Sequence, residues 1–123
     1  MNFKEIFLFK NLDDKDINEI KNFIIVKNLK KEDIVFYEKE EPHYLHLLIE
    51  GIARVYKVDN KGNELIIHKF FAPSLIAELA NFEKMPYPAN CAMESDGIIL
   101  KIEFEKFKKF LKKGDVLVKK GLL

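Results

Sequence analysis

The sequence predicts a mainly antiparallel β domain, of the sandwich or barrel kind, with short helices at either end. Three observations point there. Apolar residues recur with period two between Ile34 and Phe104. Turn-forming groups interrupt that stretch at short intervals, and helical spacing is confined to Leu12–Phe23 and the segment after Phe104.

The first helix is expected over Leu12–Phe23. Asp13 suits its N-cap, acidic residues follow in the first turn, where they meet the positive end of the helix dipole, and Ile17, Ile20 and Phe23 share one face. In YLHLLIEG, alternation places Leu45, Leu47 and Ile49 on one side and Tyr44, His46, Leu48 and Glu50 on the other. The runs IARVYKVD and NELIIHKF flank Asp59-Asn60-Lys61-Gly62, where glycine suits a tight hairpin turn. A second turn is expected at Asp96-Gly97, between ANCAMES and IILKIEF. In FEKFKKFLKK the residues Phe104, Phe107, Phe110 and Leu111 return to helical spacing, which reads as core packing, with Gly114 as the stop. The lysines of that tail read as a solvated face, and DVLVKKGLL is too short to hold a helix alone.

Composition narrows the function. At 123 residues and 48% apolar content the chain is one domain that buries a single core. Charged residues make up 33% and cancel to +1, which excludes a strongly basic nucleic-acid binder. The single cysteine, Cys91, excludes an internal disulfide and a four-cysteine metal or iron–sulfur site, and in its small-residue strand it reads as an apolar filler. No apolar run reaches the roughly 18 residues of a membrane span, and MNFKEIFLFKNLDDKD turns acidic too soon for a secretory signal. A cytoplasmic location is expected. No nucleophile–base pair, Gly-rich phosphate loop or paired acid and base argues for catalysis, so an enzyme is not expected.

The order LFKNLDDKDINEI, LKKEDIVFYEKEEP, YLHLLIEGIARVYKVDNKGNELIIHKF, LIAELANFE and ILKIEFEKFKKFL resembles the effector domain of the Crp/Fnr family of bacterial transcription regulators. The resemblance implies a cyclic-nucleotide-binding-like fold, a double-stranded β-helix or jelly roll flanked by short helices. It implies an N-terminal helical segment at 1–30, a β-roll at 31–103, and a C-terminal helix with the start of a long dimerisation helix at 104–123. DNA binding would come from a helix-turn-helix domain outside this chain. Gly51, Gly62 and Glu78 match family positions, while three other usual glycines are replaced by Glu32, Lys39 and Ala77.

The resemblance also locates a ligand loop. In cyclic-nucleotide-binding members a glycine–glutamate pair opens a short helix, the glutamate takes the ribose hydroxyl, and an arginine followed by small residues clamps the phosphate. The matching residues here are Ala77, Glu78, Leu79, Tyr87, Pro88, Ala89 and Asn90, with Tyr87 and Pro88 where the arginine belongs. Tyr87 would offer an aromatic face and hydroxyl in its place. Arg54 is the chain's one arginine; it lies on a strand after Gly51, where the family often has a solvent-facing basic residue, and cannot fill the gap. A buried phosphodiester needs a cationic partner, for which the planar guanidinium is best suited, so cyclic AMP is not the expected ligand.

Two other readings stay open. One is a haem-based gas sensor of the same family, with His68, Met85, Tyr87, Cys91 or Met93 as an iron ligand. The other is a small cupin-like metal-binding protein using His43, His46, Glu50 and His68, although two histidines three apart on a strand point to opposite faces. With little of the dimerisation helix in the chain, a monomer or weak dimer is expected, against a homodimer for the full-length regulator.

Overall fold

The structure, a computed structural model, describes residues 3, 6 and 9–112. Helix α1, Asp14–Ile20, begins at Asp13, whose carboxylate accepts the Asp16 N–H at 2.9 Å. A short 3₁₀ turn, Lys21–Phe23, follows, and Ile17, Ile20 and Phe23 are all buried, as their spacing predicts. The strands are β1 Ile24–Leu29, β2 Ile34–Phe36, β3 Tyr44–Glu50, β4 Ile52–Val58, β5 Glu64–Phe71, β6 Ser74–Ile76, β7 Asn90–Met93 and β8 Gly97–Glu103. Helix α2, Glu78–Phe82, lies between β6 and β7, and α3, Phe104–Lys112, follows β8.

The strands form two four-stranded antiparallel sheets, in the orders β1-β8-β3-β6 and β2-β7-β4-β5, the jelly-roll arrangement. Strand β1 corrects the expected division at residue 30. IIVKNL lacks a clean alternation and is mostly exposed, yet it pairs with β8 from Ile24 opposite Ile102 to Leu29 opposite Gly97. The roll therefore starts inside the stretch expected to be helical. The Gly114 stop and DVLVKKGLL lie outside the described residues.

Apolar residues gather in two clusters rather than one core, because the first sheet is covered on both faces. On its outer face Leu45, Leu47, Leu100 and Ile102 meet Ile17, Ile20, Phe23, Phe104, Phe107 and Phe110 from the helices. On its inner face Leu48, Ile76 and Ile99 meet Phe36, Ala53, Tyr87, Cys91 and Met93. The alternation in β3 thus serves both clusters in turn.

At the β4–β5 hairpin, Gly62 adopts φ 84° and donates to the Asp59 carbonyl at 3.1 Å. The Asp59 carboxylate accepts the N–H groups of Lys61 and Asn63, bonds to the backbone that hold its pKa below the ordinary value. Glu32, Lys39 and Ala77, the positions where the resemblance expects glycine, adopt φ of 76°, 75° and 53°. Each keeps the left-handed backbone without glycine, at a cost of about 1 kcal/mol apiece. Long-range contacts hold two of them: Glu32 N–H donates to the Met93 carbonyl and Lys39 N–H to that of Tyr87, both at 2.8 Å.

Arg54 is buried, not solvent-facing. It sits on β4, between β7 and β5, and its guanidinium donates to Glu64 at 3.1 Å, to Glu32 at 2.8 Å and to the Met93 carbonyl at 3.2 Å. The bonds to Glu64 and Glu32 raise its pKa further above its ordinary value. One planar fork thereby ties the β1–β2 turn to β5 and β7.

Candidate functional site

A cavity of about 410 Å³ opens at the β5–β6 edge of the roll, beside α2. Phe70 and Leu75 wall it from the two edge strands; Ala77, Glu78, Leu79 and Ala80 come from the start of α2; Glu83, Met85 and Pro88 come from the segment after it. The bend that aims α2 at this space is the left-handed Ala77.

The expected ligand-loop residues divide between this cavity and the interior. Ala77, Glu78, Leu79 and Pro88 line it together. Tyr87 does not: its ring is buried, stacked on Phe36 at 3.8 Å and 9°, and its hydroxyl donates to the Tyr44 carbonyl at 3.3 Å. Burial pushes that hydroxyl up to about 12. Tyr87 is thus an anchor of the roll and cannot present its ring in place of a guanidinium. Ala89 is buried, and Asn90 turns its side-chain carbonyl to accept Glu38 N–H at 2.8 Å. With Tyr87 N–H donating to the Glu40 carbonyl at 3.0 Å, the segment is fastened to the β2–β3 turn, leaving Pro88 facing the cavity. Asn81 adds a second tie, its side-chain N–H donating to the Tyr44 carbonyl at 2.9 Å.

Among the described residues, no lysine, arginine or histidine lines the cavity. Two carboxylates, Glu78 and Glu83, face an otherwise apolar wall. Such a surface accepts hydrogen bonds from hydroxyl and amino groups and repels an anion. Glu83, Phe70 and Leu75 escape the sequence reading, and Met85 enters it only as a possible iron ligand, because tertiary closure of the sheet edge, not spacing, brings them to Glu78.

The other candidates lie elsewhere. His43 and His68 are exposed, and His68 sets its ring edge-on to Phe70 at 4.6 Å. His46 is buried between the sheets, against Phe36 and Tyr87. Cys91 and Met93 are sealed in the inner cluster, and burial lifts the Cys91 thiol to about 12. Of the proposed iron ligands, only Met85 lines the cavity. Among the described residues no three His, Cys, Asp or Glu side chains come within reach of a common metal ion. No described helix is long and apolar enough to cross a membrane.

The family model for the cyclic nucleotide-binding domain matches residues 26–114. The chain belongs to the cyclic nucleotide-binding domain family. Within it, the cAMP-dependent protein kinase type II regulatory subunit of Drosophila melanogaster is 21% identical over 110 residues, 89% of this chain and 28% of that protein. The chain therefore spans little more than a quarter of that relative. The sensor domain of the transcriptional regulator DNR from Pseudomonas aeruginosa superposes with a TM-score of 0.77 at 21% identity, covering 98% of this chain and 81% of that one. The regulatory subunit of a cAMP-independent protein kinase A from Trypanosoma cruzi, bound to guanosine, superposes at 0.72 with 16% identity, over 95% of this chain and 41% of that one. At these identities the two structures establish the shared fold: mainly antiparallel β with short flanking helices.

Proposed function

We propose that this cyclic nucleotide-binding domain is the effector-sensing domain of a Crp/Fnr-type regulator, and that its α2 cavity takes an uncharged, hydrogen-bond-donating effector in place of a cyclic nucleotide. The observation that carries the reading is the lining of that cavity: Glu78 and Glu83 on an apolar wall, Pro88 at the loop position of the phosphate clamp, and no cation among the described residues. A cyclic phosphate entering it would leave water without a charge-assisted partner. Hydrogen bonds to charged groups contribute about 1.5–3 kcal/mol each, so the missing bidentate contact corresponds to roughly two to four decades in affinity. Support for a phosphate-free ligand comes from the Trypanosoma cruzi regulatory subunit, which is bound to guanosine, a nucleoside that carries no phosphate. In the regulator, sensing is non-catalytic, DNA contacts belong to a separate helix-turn-helix module, and the working form is a cytoplasmic homodimer.

Calorimetric titration tests the cavity reading. Cyclic AMP and cyclic GMP are expected to give no heat at micromolar concentrations, and Pro88→Arg is expected to create measurable binding. Low-micromolar affinity of the unaltered chain for either cyclic nucleotide overturns the reading, since another group must then anchor the phosphate. Tyr87→Arg is the wrong gain-of-function change, because it places a charge in the inner cluster.

A further inference from the structure

A second cavity opens between β1 and β2, at the edge of the sandwich opposite β5 and β6. It holds about 250 Å³ and is walled by Leu29, Ile34, Val35 and Ile99, with Lys27, His46 and Lys101 as its polar groups. The register explains the gathering. Lys27 stands opposite Ile99 and Lys101 opposite His46, so the four side chains leave the first sheet on its inner face.

The charge of this cavity is the reverse of the other. Among the described residues no carboxylate lines it, and neither Lys27 nor Lys101 makes an ion pair. Lys101 Nζ sits 4.4 Å from the centre of the Tyr44 ring, and partial burial, then the charge of Lys27, lowers its pKa, with Glu40 opposing. His46 Nδ1 is buried with no hydrogen-bond partner, a state that costs about 1–3 kcal/mol. Two unpaired ammonium groups beside an unsatisfied imidazole favour a negative head, and the four aliphatic side chains favour a short apolar body. The volume falls below the usual range for drug-sized ligands, which keeps the guest small.

We infer that the β1–β2 cavity is a binding site for a small organic anion, a carboxylate on a short aliphatic chain. The site is separate from the α2 cavity, and the inference holds whichever effector that cavity takes.

Hexanoate is the probe, with hexan-1-ol as its uncharged counterpart, followed by nuclear magnetic resonance on the full chain. Hexanoate is expected to shift Ile34, Val35, Ile99 and the His46 ring, with a dissociation constant of about 1 mM or tighter, and hexan-1-ol to bind at least about tenfold more weakly. Lys27→Gln and Lys101→Gln, both on solvent-accessible side chains and checked for folding by circular dichroism, are each expected to weaken hexanoate about tenfold. Equal binding of acid and alcohol, shifts confined to Leu75, Leu79 and Met85, or no shift at millimolar hexanoate overturns the assignment.

Discussion

Replacing His46 by phenylalanine separates the cost of one buried imidazole from every other source of acid sensitivity. The ring is 4% exposed, packed against Phe36 and Tyr87, and its pKa falls from 6.5 to about 4, chiefly through burial and secondarily through the charge of Lys101. Above about pH 6.5 the imidazole is neutral in both folded and unfolded chains and titration contributes nothing. Between 6.5 and about 4 the unfolded chain takes up a proton that the folded chain refuses, so stability falls as the pH falls. The loss is complete near pH 4 and amounts to about 3 kcal/mol, a large share of the stability of a small domain. Phenylalanine fits the aromatic surroundings, abolishes this loss and removes the unpartnered Nδ1, so at pH 7 the variant is expected to match or exceed the parent by up to about 2 kcal/mol. Urea unfolding of both chains from pH 7 to pH 4 measures the difference. If the two stability curves run parallel, the ring is solvated or already charged in the folded state and the reasoning fails.

Lys39→Gly relieves a left-handed backbone at an exposed position and is expected to stabilise the fold by about 1 kcal/mol in urea unfolding. Glu32→Gly is expected to gain less, because it also deletes the 2.8 Å contact to Arg54; an equal gain for both shows that contact to be energetically silent. Arg54→Lys keeps the charge but loses the fork that spans Glu64, Glu32 and the Met93 carbonyl. A loss of about 1–2 kcal/mol is expected, tempered by the exposure of both carboxylates, and a neutral outcome in thermal melts contradicts the role given to Arg54. With a net charge of +1, the 123-residue chain alone is expected to show no sequence-specific duplex binding at physiological salt, and to sediment as a monomer or weak dimer. A mobility shift surviving random competitor duplex, or a tight dimer at micromolar concentration, contradicts the corresponding half of that statement.

Features set by neighbours in the chain were legible in the sequence. The Asp13 cap, the buried Ile17–Ile20–Phe23 face, the Asp59–Gly62 turn and the two faces of β3 depend on short-range periodicity and turn chemistry, and the structure reproduces them. Features set by distant partners were not. Arg54 carries no local sign of burial, because the carboxylates that neutralise it sit at Glu32 and Glu64 on other elements. Strand β1 lacks a periodic signal and is defined by β8. In the loop, which side chain faces the cavity is fixed by the ties of Tyr87 and Asn90 to the β2–β3 turn, so Pro88 and Tyr87 could be named together from the sequence but not told apart. Of the four left-handed non-glycine positions, Glu32, Lys39 and Ala77 were legible only through the resemblance and Lys84 not at all, since Glu, Lys and Ala give no such signal themselves.

Ala77 places backbone shape and cavity shape under one methyl group. It holds a left-handed turn that glycine would hold at less cost, and its side chain forms part of the cavity wall. Glycine at this position would therefore make the domain more stable and its cavity larger by the same substitution. A tighter cavity and greater resistance to unfolding pull in opposite directions at residue 77, and a search for stabilised variants will be drawn toward the change that loosens the cavity.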